Sequence, residues 1–563
     1  MSTAELESDN YDVVVLGTGL AESIAAAALA KIGKSVLHLD PNEYYAADQA
    51  SLTLDELVKW ASDRSSKSDA ESSADTNAGA GSSYLSSQKR RFTHATTSTL
   101  TPELERDRRR YALSLYPAIL PARGTLISTL IASDVSKYVG FRLLDSVGVW
   151  EGALGTSSPE NAGARTEAAE TQARSQVRRV PGNKEDVFKD KSVGLVDKRK
   201  LMKFLMWVAG DFEDDELIKG KEDQSLLSFL QTSFSLPQNL ATQIAFAIAH
   251  ASSPDEPVGP ALHRTKRYLR SVGRYGSGAF LVGQYGGAGE IAQGFCRACA
   301  VKGGTYVLGE QAVATSIQIH LEHGVELRLP CHPRPVTTKH LISSYDHLPL
   351  SLQPEPLKSG RSHAGTRMAH CIAILPCLPE SLKRKRGDIP ENPDIEAEES
   401  QEPKSDVEQD DIAVILFPPE GDVGLVRALL MGEGTGSCPS GQFVLYLFTA
   451  VSDPNADPSS LLRPYLSRLC PEPLFTASYL YKPESTFDLL PDGSGASPPG
   501  VTIVKPYTGH DKVLVEGLDW EAEQGEAAFW GVMGGKPEPG DEVEGQGFFE
   551  KEHVDEEAEE DEA

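Results

Sequence analysis

A short apolar run, Tyr11–Leu16, ends in Gly17-Thr18-Gly19 and leads straight into an alanine-rich stretch from Leu20 to Lys31. Gly33 closes that stretch, Ser35–Leu39 follows as a second strand-like run, and Asp40 stands at its end. A strand, a glycine turn, a helix and a second strand within about 30 residues form the opening of a dinucleotide-binding βαβ fold. In such a unit the first glycine permits the tight turn and the second lets backbone approach a pyrophosphate. The third lets helix and strand pack closely. Gly17 and Gly19 fill the first two places, but the third is Glu22. A carboxylate there suits the helix dipole and opposes a phosphate at the same spot. The pattern predicts an α/β fold that keeps its scaffold and binds no cofactor. Asp40 occupies the usual ribose-binding place, so a flavin-dependent oxidoreductase is the competing reading.

At 563 residues the chain is too long for one compact core, and about two to four domains are expected. Between Thr125 and Ser253 the pattern is helical. Leu126, Leu130, Val135 and Tyr138 recur at near-helical spacing, and Leu201, Phe204, Leu205 and Val208 follow the i, i+3, i+4, i+7 rule. Leu240, Ile244 and Ile248 do the same. Strands return at Thr305–Leu308, Ser316–Leu321, Val325–Leu329, His370–Leu375, Ile412–Phe417, Phe443–Phe448 and Val501–Val504. This order predicts a discontinuous α/β domain over residues 1–123 and 273–540, with an all-helical domain inserted at 124–272. Stretches with little to bury read as flexible insertions at about 61–91, 152–175 and 383–410, and 541–563 reads as an acidic solvated tail.

With 82 Asp+Glu against 54 Lys+Arg the net charge is −28, which argues against nucleic-acid binding. No apolar run of about 18 residues exists, so no spanning helix is expected. The opening MSTAELESDNYD lacks the regions of a signal peptide, and the closing EEDEA lacks a cysteine for prenylation. Seven scattered cysteines make no disulfide framework. A cytoplasmic protein without its own anchor is expected. Cys296 and Cys299 form a CxxC, but no second pair completes a metal site, so they read as core thiols. The histidines form no triad or metal-ligand pattern, and neither catalytic residues nor a metal are expected.

The opening YDVVVLGTGLAESIAAAALAKIGKSVLHLDPNEYY resembles the first segment of the GDP-dissociation inhibitor and Rab escort superfamily. GRYGSGAFLVGQYGGAGEIAQGFCRACAVKGGTYVLG, at Gly273–Gly309, resembles its central segment. VDKRKLMKFLMWV, at Val196–Val208, is more similar to the escort branch than to the inhibitor branch. The resemblance implies a flavoprotein-like (FAD/NAD(P)-binding-type) α/β fold with an inserted helical domain and no flavin. For function it implies a non-catalytic escort of GDP-bound Rab GTPases. Such an escort presents them to the Rab geranylgeranyltransferase α/β heterodimer, shields the geranylgeranyl lipid and touches membranes only transiently. The alternative within the superfamily is an inhibitor that recycles prenylated Rabs.

Residue by residue, the superfamily's Rab-binding platform falls on Tyr45, Glu290, Arg297, Thr305 and Val307. Glu290 and Arg297 are seven apart and share a helix face, while Thr305 and Val307 share a strand face with Tyr306 opposite. The superfamily's Gly-Gly after the paired tyrosines is Ala46-Ala47 here, and Val307 stands where inhibitors more often carry methionine. The lipid is expected in the helical insertion, with Leu201, Phe204, Leu205 and Val208 as candidate prenyl contacts. Tyr268, in RTKRYLRSVGRYG, is the candidate transferase contact, and Gly273–Gly278 resembles a mobile loop.

Overall fold

A computed structural model describes residues 5–65, 88–89, 91–151, 177–180, 193–320, 324–344, 347–348, 367–385, 407–408, 410–453, 455–482, 498–507, 509, 512–538 and 546–550. Most of the expected insertions at 61–91, 152–175 and 383–410, and most of the tail at 541–563, lie outside the described residues.

β1 (Asn10–Leu16), α1 (Leu20–Lys31) and β2 (Val36–Asp40) make the crossover that the glycine turn predicts, with β1 and β2 parallel. Every residue of α1 from Leu20 to Ala30 is buried, because its small side chains let other helices close in from two sides. β3 (Phe92–Thr97), α2 (Thr125–Ala132), β4 (Ser146–Trp150) and β5 (Val177–Arg179) follow. Next come α3 (Leu195–Ala209), α4 (Leu226–Phe234), α5 (Gln238–Gln243), a π-helical turn at Ile244–Ile248, and α6 (Val258–Ser271).

The chain returns through α7 (Ala288–Val301) to β6 (Thr305–Leu308), β7 (Ser316–His320), β8 (Gly324–Arg328) and β9 (Val336–Ser344). β10 (Arg367–Leu375), β11 (Ile412–Phe417), β12 (Val426–Met431) and β13 (Phe443–Val451) come next. α8 (Pro458–Leu469), β14 (Phe475–Tyr481), β15 (Val501–Val504) and α9 (Val513–Met533) complete the described elements needed here.

Two large sheets organise these strands. The first runs β6-β2-β1-β9-β8-β7, and β15 pairs the second half of β9. β6, β2, β1, β9 and β15 are parallel, so their crossovers place helices on the sheet. α1 lies between α7 and α9. The second sheet has eight strands, β3-β14-β10-β13-β12-β11-β4-β5, antiparallel except where β11 meets β4.

The span 124–272 is not all helical. β4 and β5 extend the second sheet, and Phe141–Leu143 pairs with Phe280–Gly283. Short runs such as Ser146-Val147-Gly148-Val149 sit between helical patterns and are too brief to show a strand period of their own. α9 ties the helical segments to the first sheet. Its Asp519 accepts from the Leu126 N–H at 3.0 Å, capping α2, and pairs with Arg267 of α6 at 3.2 Å.

Candidate functional site

The turn after β1 retains the shape of a phosphate cradle, with Gly17 at φ 95°, but the protein's own side chains fill it. Both oxygens of Asp40 are taken. One accepts from the Thr18 N–H at 2.8 Å and the Thr18 hydroxyl at 2.5 Å, the other from the Asn42 N–H and side-chain amide at 2.8 and 2.9 Å. The Thr18 hydroxyl accepts in turn from the Ala46 N–H at 2.9 Å, which pins the following loop.

At the N-terminus of α1, the Leu20 N–H donates to the Gln49 side-chain oxygen at 2.8 Å. The Glu521 carboxyl, reaching in from α9, is hydrogen-bonded by the Ala21 N–H and the Gln49 side chain, and burial pushes it up to about 7. Glu22 is 5% exposed and folds back on the turn, where a Cβ at Gly19 would lie 2.5 Å from its Oε2. The His347 ring covers Gly17 in the same way, at 2.7 Å. A cavity of about 150 Å3 remains beside the turn, and its wall carries Glu22 and Glu521. A pyrophosphate at the helix N-terminus needs free N–H donors, and here it would meet the occupied Leu20 and Ala21 N–H groups with Glu22 and Glu521 beside them. The residues do not fit a dinucleotide. The sequence points to Glu22 as the obstacle, but Gln49 and Glu521 hold the Leu20 and Ala21 donors themselves.

The platform residues gather around the outer edge of the same sheet. β6 is an edge strand, paired to β2 with Thr305 opposite Leu37 and Val307 opposite Leu39. Tyr306 points towards α7, where its hydroxyl lies against the thiols of Cys296 and Cys299. Its ring lies tilted against His38 at 4.9 Å and meets Tyr45 edge-on at 6.1 Å. Tyr45 is therefore held by an aromatic pair that the sequence reading did not include. The loop bearing it turns through Ala46 and Ala47 at φ 72° and 46°, so two alanines adopt a left-handed geometry at about 1 kcal/mol each.

Glu290 lies half-buried in the first turn of α7, and burial raises its carboxyl. Arg297 is exposed two turns later, its guanidinium 4.9 Å from the centre of the Tyr138 ring. Tyr45, Glu290 and Arg297 thus share the α7 side of β6. Thr305 and Val307 do not. Thr305 bonds Tyr11, and Val307 packs on the core around Leu37 and Leu39, on the opposite face.

Burial pushes Cys296 up to about 12 and Cys299 up to about 11, so at neutral pH both are protonated thiols. No cluster of His, Cys, Asp and Glu suited to a metal exists among the described residues.

Residues 7–78 and 74–328 match the family described as GDP dissociation inhibitor, more than half of the chain. The chain belongs to the GDP dissociation inhibitor family. Among its relatives is the Rab proteins geranylgeranyltransferase component A of Saccharomyces cerevisiae, 28% identical over 80% of this chain and 63% of that protein. Its Drosophila melanogaster namesake is 32% identical over 61% of each chain. The match thus spans about three-fifths of the length of these relatives. The crystal structure of a Rab GDI from Plasmodium falciparum shares the fold, with a TM-score of 0.59 at 16% identity, over 94% of this chain and all of that one.

The candidate residues of α3 and α6 are buried. Leu201, Phe204, Leu205 and Val208 form the inner stripe of α3, and Phe204 meets Phe234 of α4 at 5.1 Å. They are packed core, and a lipid would reach them only if α3 and α4 separated. The outer side of α3 is mixed, with Leu195, Val196 and Met206 exposed beside Arg199 and Lys203. Tyr268 is 7% exposed, and its ring lies 5.7 Å from that of Phe280. The stripe Ala261, Leu262, Thr265 and Tyr268 is the buried face of α6. A surface contact through Tyr268 would require its ring to leave this packing.

Proposed function

We propose that this chain is a non-catalytic carrier of GDP-bound Rab GTPases. It presents them to a geranylgeranyltransferase heterodimer and covers the lipids they acquire until delivery to a membrane. The observation that carries this reading is the similarity, along 80% of the chain, to a protein named as component A of that transferase. The occupied turn supports a non-enzymatic role, because Gln49 and Glu521 take the Leu20 and Ala21 N–H groups that a redox cofactor's phosphate would use. Tyr45, Glu290 and Arg297 are the side chains we assign to the GTPase contact, with Thr305 and Val307 supporting the edge strand from behind. The lipid is assigned to the helical segments α3–α6, where a prenyl chain of 20 carbons would gain about 0.8 kcal/mol per buried methylene. No helix among the described residues is long and apolar enough to cross a membrane.

The competing role within the family, recycling of Rabs already prenylated, makes a different demand. An escort must hold the unmodified GTPase, whereas a recycler draws much of its affinity from the lipid. Titration with one GDP-loaded Rab in unmodified and geranylgeranylated forms separates the two. The escort reading expects tight binding to both. Binding to the prenylated form alone would replace it with the recycling role.

A further inference from the structure

We infer that Tyr138 is part of the GTPase-docking surface and acts by holding the Arg297 guanidinium with its N–H edge turned outward, toward a carboxylate on the bound GTPase. This rests on the reading proposed above.

Tyr138 ends a tight turn. Asp134 enters it at φ 61°, Val135–Lys137 form one 3-10 turn, and the Tyr138 N–H donates to the Val135 carbonyl at 2.8 Å. Val135 and Val139, either side of the exposed residues, are buried against α7. The contact is close because α7 offers Gly294 there, where a Cβ would lie 2.7 Å from Val139 and 3.0 Å from Val135. One turn further along α7 the Arg297 guanidinium sits 4.9 Å from the Tyr138 ring centre. A glycine therefore sets the distance at which the ring and the cation meet.

Tyr138 is 43% exposed, so its ring and the guanidinium over it are both open to a partner. A guanidinium held over a ring through its face keeps its N–H edge for bidentate pairing with a carboxylate. A free arginine loses about 2 kcal/mol of side-chain freedom when immobilised, and the ring has already removed part of it. Val301, one turn beyond Arg297 and 68% exposed, continues the same face as an apolar margin. An aromatic ring and an arginine beside an apolar margin match the anchors that dominate protein interfaces.

The test uses the full-length chain and a GDP-loaded Rab GTPase, with dissociation constants measured by titration for wild type, Tyr138→Ala, Tyr138→Phe, Arg297→Ala, the Tyr138→Ala/Arg297→Ala double variant and Tyr45→Ala. We expect Tyr138→Ala to weaken binding about two- to fivefold and Tyr138→Phe to bind as wild type, since the ring and not the hydroxyl makes the stack. The double variant should bind no more weakly than Arg297→Ala alone, the signature of one unit. If Tyr138→Ala binds normally, or its effect persists undiminished without Arg297, while Tyr45→Ala and Arg297→Ala weaken binding, the inference is wrong and the docking platform stands. If none of the variants weakens binding, the platform itself is misplaced and the inference fails with it.

Discussion

Replacing Glu521 with glutamine tests how the old nucleotide turn is closed. Glu521 is partly buried at the N-terminus of α1, on the wall of the small cavity, and desolvation, the main cause, pushes its carboxyl up to about 7 from an ordinary 4.5. A raised acid favours the folded state only while protonated. That contribution is complete below 4.5 and is lost as pH rises through about 7. At about 1.4 kcal/mol per decade, the ionised group costs the fold about 3 kcal/mol above pH 8, and about 2.5 kcal/mol of that accrues between pH 5 and pH 8. Glutamine keeps the shape and an acceptor for the Ala21 and Gln49 donors but never ionises. Glu521→Gln should thus lie close to wild type in stability at pH 5 and be more stable at pH 8. Asp519, raised to about 6 by burial, and other buried carboxyls also weaken the fold in this window. Subtracting variant from wild type cancels them. Urea denaturation at the two pH values gives the difference directly. An equal stability change at pH 5 and pH 8 would refute a reluctantly ionised Glu521.

Native protein treated with a thiol reagent at pH 8 should titrate one fast cysteine, the exposed Cys377, with the six buried thiols reacting only on denaturation. Fast reaction of Cys296 or Cys299 would revive a redox role for the CxxC. Phe204→Ala should cost about 3–5 kcal/mol in urea denaturation if the inner face of α3 is closed core, and a loss below about 1 kcal/mol would indicate an open pocket instead. Tyr45→Ala and Arg297→Ala should each weaken Rab binding by about 2 kcal/mol in titrations, and unchanged affinity in both would remove the platform from this sheet edge.

The parts legible in the sequence were those with strong local signals. The glycine turn and its alanine helix gave β1, α1 and β2, and continuous apolar runs such as Ile412–Phe417 gave strands. β9 was missed because Val336–Ser344 reads as polar, yet it lies at the centre of the first sheet beside β1. α9 was also missed, although Leu514, Leu518, Ala522, Gly525, Phe529 and Val532 recur at helical spacing and are all buried. Its omission hid Glu521, which lies 500 residues after Ala21 in sequence but beside it in space. Likewise Tyr138 was seen only as a helical repeat, and Tyr306 only as the residue facing away from Thr305. Long-range closure of a site is set by tertiary packing, and no local pattern reports it.

A single-turnover prenylation reaction, with a GDP-loaded Rab, the purified transferase heterodimer and geranylgeranyl diphosphate, asks the whole question at once. Adding this chain should convert a reaction that barely proceeds into one that completes, with the modified Rab recovered in a soluble complex with it. The same rate with and without the chain, or a modified Rab that leaves it and aggregates, would contradict the carrier assignment outright.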